Sequence, residues 1–478
     1  MHLLPAKTAI LVSRGFTAIT QRREQNLVKQ LLLYIQRLAD RGRAMLVAAI
    51  AIIVVVGVIL SIRDGNRTKS LDEGAFLDIS KNIAFHFQFA HTNDPATDKF
   101  EPMGDGHDPA LPLGSLRPTA YRAPGYAFFQ APFRRLGAEY VTLRIINFVL
   151  VALTLMLLYS MLATRYSRLA GLLAVIFTVC YPVLLYAAST LYPQTLSTFL
   201  MVVLLYLLDR IGPKSGLRDC ALAGLVAGVS ALTVPVYLLL LPIILLWLRF
   251  SRGLTFRKIV LMTATGVAVI AVWTVRNYAV FRAPVPVSTA SGFMLLSGNC
   301  PNCGYDVQWA DLRFPEYVYT ELTGKNEVER SEIMTRAGLK FIRENPGRAF
   351  TLYVQKFLFW FHFRNTISSD KVVPGGAGAG TVWLRDLLML VTYGPLLGVL
   401  LFRLALFRKY PLSSLETLFV ALYLGGGMAY AIYATRIRYR LPFDWLLIAV
   451  DALFVAQVIN RWMAASLPIA SARHAEAT

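Results

Sequence analysis

The sequence predicts an all-α, polytopic membrane protein, and three observations carry that class. Hydrophobic residues make up 56% of the 478-residue chain and charged residues only 16%, against roughly 25% charged in soluble domains. The apolar residues fall in long uncharged runs of membrane-crossing length. Lys and Arg outnumber Asp and Glu by 48 to 28 and gather at the ends of those runs, as loops kept on the cytoplasmic side do. The net charge of +20 is therefore a topology signal. With no basic soluble domain to collect in, it argues against a nucleic-acid partner and for the lipid bilayer.

Residues 1–43 are basic, with Leu27, Leu31, Ile35 and Leu38 at helical spacing among Arg22, Arg23, Lys29 and Arg37. That pattern suits an amphipathic helix on the inner membrane surface, and a partly disordered tail fits it as well. The first span is expected over Ala44–Ile62. It is too long for a signal-peptide core and lacks a small-residue cleavage site, so it reads as an anchor, with Arg37, Arg41 and Arg43 holding the N-terminus inside. A polar segment, 63–143, then lies outside. Spans follow near Ile145–Ala163 and Leu169–Ala188, and another ends at Leu208 after a short outer turn around Ser189–Pro193.

The uncharged stretch Cys220–Leu248 is flanked by Lys214 and Arg218 on one side and Arg249 and Arg252 on the other. Basic flanks at both ends suit a hairpin of two short spans bent near Pro235. Ile259–Val275 carries the chain out to a second external segment, 277–382. Within it the aromatic run Phe350–Phe363 is expected to lie in the interface, and Pro374–Gly380 is Gly-rich. Spans near Leu384–Phe402, Thr417–Thr435 and Leu441–Asn460 bring the total to about ten. The membrane domain is thus 44–462, followed by a cytoplasmic tail, 463–478, with both termini inside.

Three features stand out against this frame. The adjacent carboxylates Asp72 and Glu73 sit just beyond the first span. Such a pair can bind an ion, cap a helix or take a proton. On the residues alone, a helix N-terminus capped by Asp72, with Glu73 and Asp78 on a solvated face, stays open. An acid beside an acid at a low-dielectric surface is expected to have a raised pKa, which suits a base. Arg436, Arg438 and Arg440 fall on the outer face, against the charge rule, and a phosphate there would explain them, since Arg forks match phosphate oxygens. Asp444 and Asp451 lie on one face of the last span, where a carboxylate is expensive.

The remaining candidates are less pointed. Cys180 and Cys220, in apolar runs, read as packing residues. Cys300 and Cys303 could form a small loop disulfide or half a zinc site. No second pair or nearby His completes a zinc site, and no βαβ pattern suggests a redox motif, so a disulfide is preferred. His86, His91, Asp94, Asp98, Glu101, Asp105, His107 and Asp108 enrich the first external segment in metal-ligand types without a spacing motif. A divalent metal is therefore conceivable but unsupported, and no cofactor is called for.

Four stretches together resemble the GT-C membrane glycosyltransferases, which include the protein O-mannosyltransferases, the lipid A aminoarabinose transferases and the RgtA/B/C/D-like enzymes. They are Asp72-Glu73-Gly74-Ala75-Phe76; Arg122-Ala123-Pro124-Gly125-Tyr126; Trp273-Thr274-Val275-Arg276-Asn277-Tyr278 with Pro286-Val287-Ser288-Thr289 and Ser297-Gly298-Asn299; and Arg438-Tyr439-Arg440-Leu441-Pro442. Two positions depart from the pattern: Gln194 stands where many relatives carry an acid, and Val234 where many carry a basic residue.

The resemblance implies a GT-C fold and an inverting transfer of sugar from a polyprenyl-phosphate-linked donor. The acceptor would be a glycan, lipid or protein at the outer, periplasmic face of an inner membrane. It also implies Asp72, with Glu73 beside it, as the catalytic acid pair. Tyr121, Arg122, Arg276, Asn277, Arg438, Tyr439 and Arg440 are then the residues expected to bind substrate. Such a transfer needs one base for the acceptor hydroxyl and cations for the leaving phosphate. The alternatives are a transporter or flippase of lipid-linked sugars, which needs polar groups through the spans, and a non-catalytic polysaccharide-assembly protein.

Overall fold

A computed structural model describes residues 37–94, 110–306, 312–363 and 379–466, with Gln30 and Tyr34. Most of the basic N-terminal segment, Asp98, Glu101, Asp105, His107 and Asp108, most of the Gly-rich stretch and the C-terminal tail lie outside the described residues. Six helices among those described are long and apolar enough to cross a membrane. In chain order they are α1 (Gly42–Asp64), α4 (Tyr140–Arg165), α10 (Phe256–Phe281), α15 (Ala379–Ala405), α16 (Ser414–Ile432) and α17 (Ile437–Ser466). The protein is thus an all-α integral membrane protein. The intervening helices are shorter: α5 (Arg168–Val179), α6 (Val183–Ala188), α7 (Gln194–Arg210), α8 (Leu217–Thr233) and α9 (Leu241–Phe250).

The breaks follow the sequence. Pro182 separates α5 from α6, where one continuous span was expected. Between α8 and α9, Val234 is extended and Pro235–Leu240 winds as a 3-10 turn. Proline lacks the N–H that would continue the helix, and the residue before it is pushed out of helical geometry. Helices α8 and α10 approach closely because Gly224 and Gly228 face Met262 and Gly266. A Cβ on Gly224 would lie 2.1 Å from the Met262 carbonyl oxygen, so only a small-residue stripe permits this packing. Cys220 is buried as expected, whereas Cys180 is exposed at the C-terminal end of α5.

Two helical segments lie between these membrane elements. The first holds α2 (Leu71–His86), the short antiparallel strands β1 (Ala90–Thr92) and β2 (Leu116–Pro118), and α3 (Pro124–Arg135). The second holds α11 (Ala290–Gly298), α12 (Glu316–Leu322), α13 (Glu327–Glu344) and α14 (Pro346–Phe359). A small core of Phe293, Leu296, Val318, Ile333, Met334 and Ala337 packs the second segment, and Tyr121 of the first segment is part of it. The two segments therefore share apolar packing, which positions the residues between them.

Candidate active site

The N-terminus of α2 is set by Ser70, whose hydroxyl accepts a hydrogen bond from the Glu73 N–H. Ser70, and not Asp72, is the cap. Glu73 turns back to accept from the Lys69 N–H at 2.6 Å and from the Leu191 N–H at 3.0 Å. Its side chain is fully buried. Burial raises its pKa, and these bonds only partly offset that. Glu73 thus ties α2 to the turn before α7 through backbone hydrogen bonds. Arg144 braces the same corner, donating to the carbonyls of Gly65, Arg67 and Ser189 while wholly buried.

Asp72 is differently placed. One of its oxygens meets the Arg122 guanidinium at 2.9 Å and the other meets Arg438 at 2.8 Å. The Asp72 side chain is 21% exposed, Arg122 19% and Arg438 9%, so the triad is largely but not wholly shielded. Arg122 also lies over the rings of Tyr121 and Phe76, and Arg438 over those of Tyr192 and Tyr439. Burial pushes the Asp72 pKa up, but the two facing guanidiniums outweigh it and hold the carboxyl well below the usual range. This reverses the expected raised value: the neighbour that matters is not Glu73 but a pair of cations. Arg436 is buried close by and feels the Asp72 charge. The site carries more positive than negative charge, and its chemistry is that of an anion receptor with a carboxylate inside it.

The other expected residues divide into those that join this cluster and those that support it. Tyr121 and Tyr439 supply ring faces to the arginines, and the Tyr439 hydroxyl accepts from Arg438 at 3.1 Å. Arg276 donates to the carbonyls of Thr119 and Phe89, and Asn277 donates to Val285. Both brace loops and do not reach Asp72. Arg440 pairs apart from Asp72. It was expected to meet a phosphate, yet it is wholly buried, pairs with Asp444 at 3.0 Å and donates to the Trp360 and His362 carbonyls. The Asp444 carboxylate also accepts from the Tyr181 hydroxyl at 2.7 Å. Asp78, expected on a solvated face, instead accepts from the Thr92 N–H and hydroxyl and lies 3.1 Å from His91. Cys300 and Cys303 are joined as a disulfide. Among the described residues no group of three or more His, Cys, Asp or Glu could hold a metal.

The sequence reading missed two ionisable residues, the half-buried Glu327 and the fully buried Lys356. Glu327, at the start of α13, and Lys356, in α14, neither pair with each other nor touch Asp72. Glu327 looks in the sequence like an ordinary first-turn acid next to the Asn326 cap. Lys356 looks like one polar position in an aromatic amphipathic helix.

Residues 121–277 match the family model of dolichyl-phosphate-mannose-protein mannosyltransferases, about a third of the chain. Over that stretch the chain is similar to this mannosyltransferase family. Among solved structures, it is similar to the oligosaccharyltransferase AglB from Archaeoglobus fulgidus in complex with an inhibitory peptide and a dolichol-phosphate. Identity is 13% and the TM-score 0.48, over 90% of this chain and 52% of that one. It is also similar to ArnT from Cupriavidus metallidurans bound to undecaprenyl phosphate, at 13% identity and a TM-score of 0.37, over 85% of this chain and 77% of that one. The chain spans about half the length of the oligosaccharyltransferase it matches. Comparison with curated protein sequences finds no match.

Proposed function

We propose that this protein transfers a sugar from a polyprenyl-phosphate-linked donor to an acceptor at the outer face of a bacterial inner membrane, with inversion. The observation that carries this reading is the Asp72 carboxylate held between Arg122 and Arg438 at the end of a membrane helix bundle. Both termini are proposed to be cytoplasmic. The match of residues 121–277 to the dolichyl-phosphate-mannose-protein mannosyltransferase family supports a lipid-phosphate donor.

The chemistry follows from the charges. The donor phosphate competes with Asp72 for the two guanidiniums. As they turn to the phosphate, Asp72 loses the cations that suppress its basicity and becomes able to take a proton. The acceptor oxygen then bonds to the anomeric carbon while that carbon's bond to the phosphate oxygen breaks. The bonding pair leaves with the lipid phosphate, Arg122 and Arg438 neutralise its growing charge, and the acceptor hydroxyl proton passes to Asp72. In this scheme Asp72 is the base and Arg122 and Arg438 hold the phosphate. Tyr121 and Tyr439 set the arginine rotamers by stacking. Arg276, Asn277, Glu73 and Arg440 hold the frame.

The test is transfer of a labelled sugar from polyprenyl-phosphate donors to candidate glycan, lipid and protein acceptors by the protein in lipid nanodiscs. Asp72→Asn is expected to abolish turnover while donor binding persists. Full turnover in that variant would refute the base assignment, and transbilayer donor movement without transfer would refute glycosyl transfer.

A further inference from the structure

The two arginines that grip Asp72 come from segments far apart in sequence, and each is anchored just upstream by the second helical segment. Ahead of Arg122, the Glu327 carboxylate accepts from the Thr119 hydroxyl at 2.7 Å, the Ala120 N–H at 2.8 Å and the Thr289 hydroxyl at 2.7 Å. The Thr289 N–H donates to the Ala120 carbonyl at 3.0 Å, and the Ser288 hydroxyl donates to that of Tyr121. Ahead of Arg438, the Lys356 ammonium donates to the Gly298 carbonyl at 2.9 Å and the Tyr433 carbonyl at 3.0 Å. The Asn299 amide donates to Ile432 at 2.9 Å. Gly298 lies so close to Tyr433 that a Cβ there would sit 1.7 Å from its carbonyl oxygen.

We infer that the second helical segment is a template that sets the separation of Arg122 and Arg438 about Asp72, with Glu327 and Lys356 as positioning residues for the donor phosphate site. This extends the glycosyl-transfer reading and rests on it for the ligand. Lys356 is fully buried and Glu327 half-buried, and each spends hydrogen bonds on the stretch that leads to one arginine, Glu327 on Thr119 and Ala120 and Lys356 on the Tyr433 carbonyl. Burial pushes the Glu327 carboxyl up despite its donors and the Lys356 ammonium down to about 8, as for charges kept for their geometry rather than for stability. These two hold residues 119–121 and 432–433 against one rigid block.

The test uses the full-length protein in nanodiscs, with polyprenyl phosphate as the binding probe and hydrogen exchange as an activity-independent readout. Glu327→Gln turns one acceptor oxygen into a donor, and is expected to raise exchange at residues 119–122 but not at 432–438. Lys356→Met is expected to do the reverse. Each should weaken polyprenyl phosphate binding by about tenfold, since small misplacements of binding groups carry effects of that order. Glu327→Gln is expected to add nothing in an Arg122→Ala background, while Lys356→Met still does. Glu327→Asp, which keeps the acceptor oxygens, should recover part of the affinity, and tests the strap if Glu327→Gln does not fold. Unchanged exchange at 119–122 in Glu327→Gln, or full additivity with Arg122→Ala, would overturn the inference. If the wild-type protein does not bind polyprenyl phosphate at all, the transfer reading fails, and the exchange experiment still decides the template.

Discussion

Replacing Asp72 by Asn is expected to move binding and turnover in opposite directions. The carboxylate occupies both guanidiniums, at 2.9 and 2.8 Å. A lipid phosphate must displace it to bind them. Two opposite charges about 4 Å apart interact by roughly 4 kcal/mol at the effective dielectric of a partly exposed site. The site is not dry: Asp72 is 21% exposed and Arg122 19%, so solvent screening reduces each pair to about 1 kcal/mol. Removing the competitor should therefore release about 1–2 kcal/mol to the incoming phosphate, a five- to thirtyfold lower Kd. The same substitution removes the proton acceptor, and turnover should fall by at least about a hundredfold. The assay is equilibrium binding of labelled polyprenyl phosphate to nanodisc-embedded protein, run beside sugar transfer. Equal or weaker binding in Asp72→Asn would show that the carboxylate does not compete with the ligand. Retained turnover would refute its role as base.

Three further outcomes follow from the same contacts. Gly298→Ala should destabilise the protein by several kcal/mol or displace residues 432–433, because nothing at 1.7 Å from a backbone oxygen can be accommodated; thermal unfolding in nanodiscs checks this, and an unchanged Tm would mean the two backbones are not in contact. Burial depresses the Lys356 pKa to about 8, so between about pH 8 and the ordinary lysine value of 10.5 the folded state binds fewer protons than the unfolded one. Stability should therefore rise with pH through that window, by on the order of 3 kcal/mol, and Lys356→Met should lack the rise when Tm is followed against pH. Asp451 is buried in α17 with neither oxygen hydrogen-bonded, so Asp451→Leu should raise Tm; a clear fall would reveal a partner for it.

The parts of this molecule that were legible in the sequence are those dictated by local chemistry. Uncharged runs marked α1, α4, α10, α15, α16 and α17, and Pro235 marked the break after α8, because hydropathy and proline act within a few residues. The backbone bonding of Glu73 was legible too. Ser70-Leu71-Asp72-Glu73 has the spacing of a capping box, which assigns the Glu to the backbone and leaves Asp72 as the outward acid. The site itself was legible only by resemblance. Arg438 reaches Asp72 across 366 positions of sequence, and no period or spacing encodes such a contact.

The arginines at 436, 438 and 440 show the same limit more sharply. Alternation by two made them look alike, as three outward cations awaiting a phosphate. Yet Arg438 turns to Asp72, and Arg440 turns into the bundle to hold Asp444 and the end of α14. Opposite sides of one helical turn thereby serve the site and its scaffold, and their division of labour depends on which distant segment packs against each. That dependence is why the second helical segment matters. It supplies no residue to the Asp72 triad, yet its side chains bond the backbone ahead of both Arg122 and Arg438.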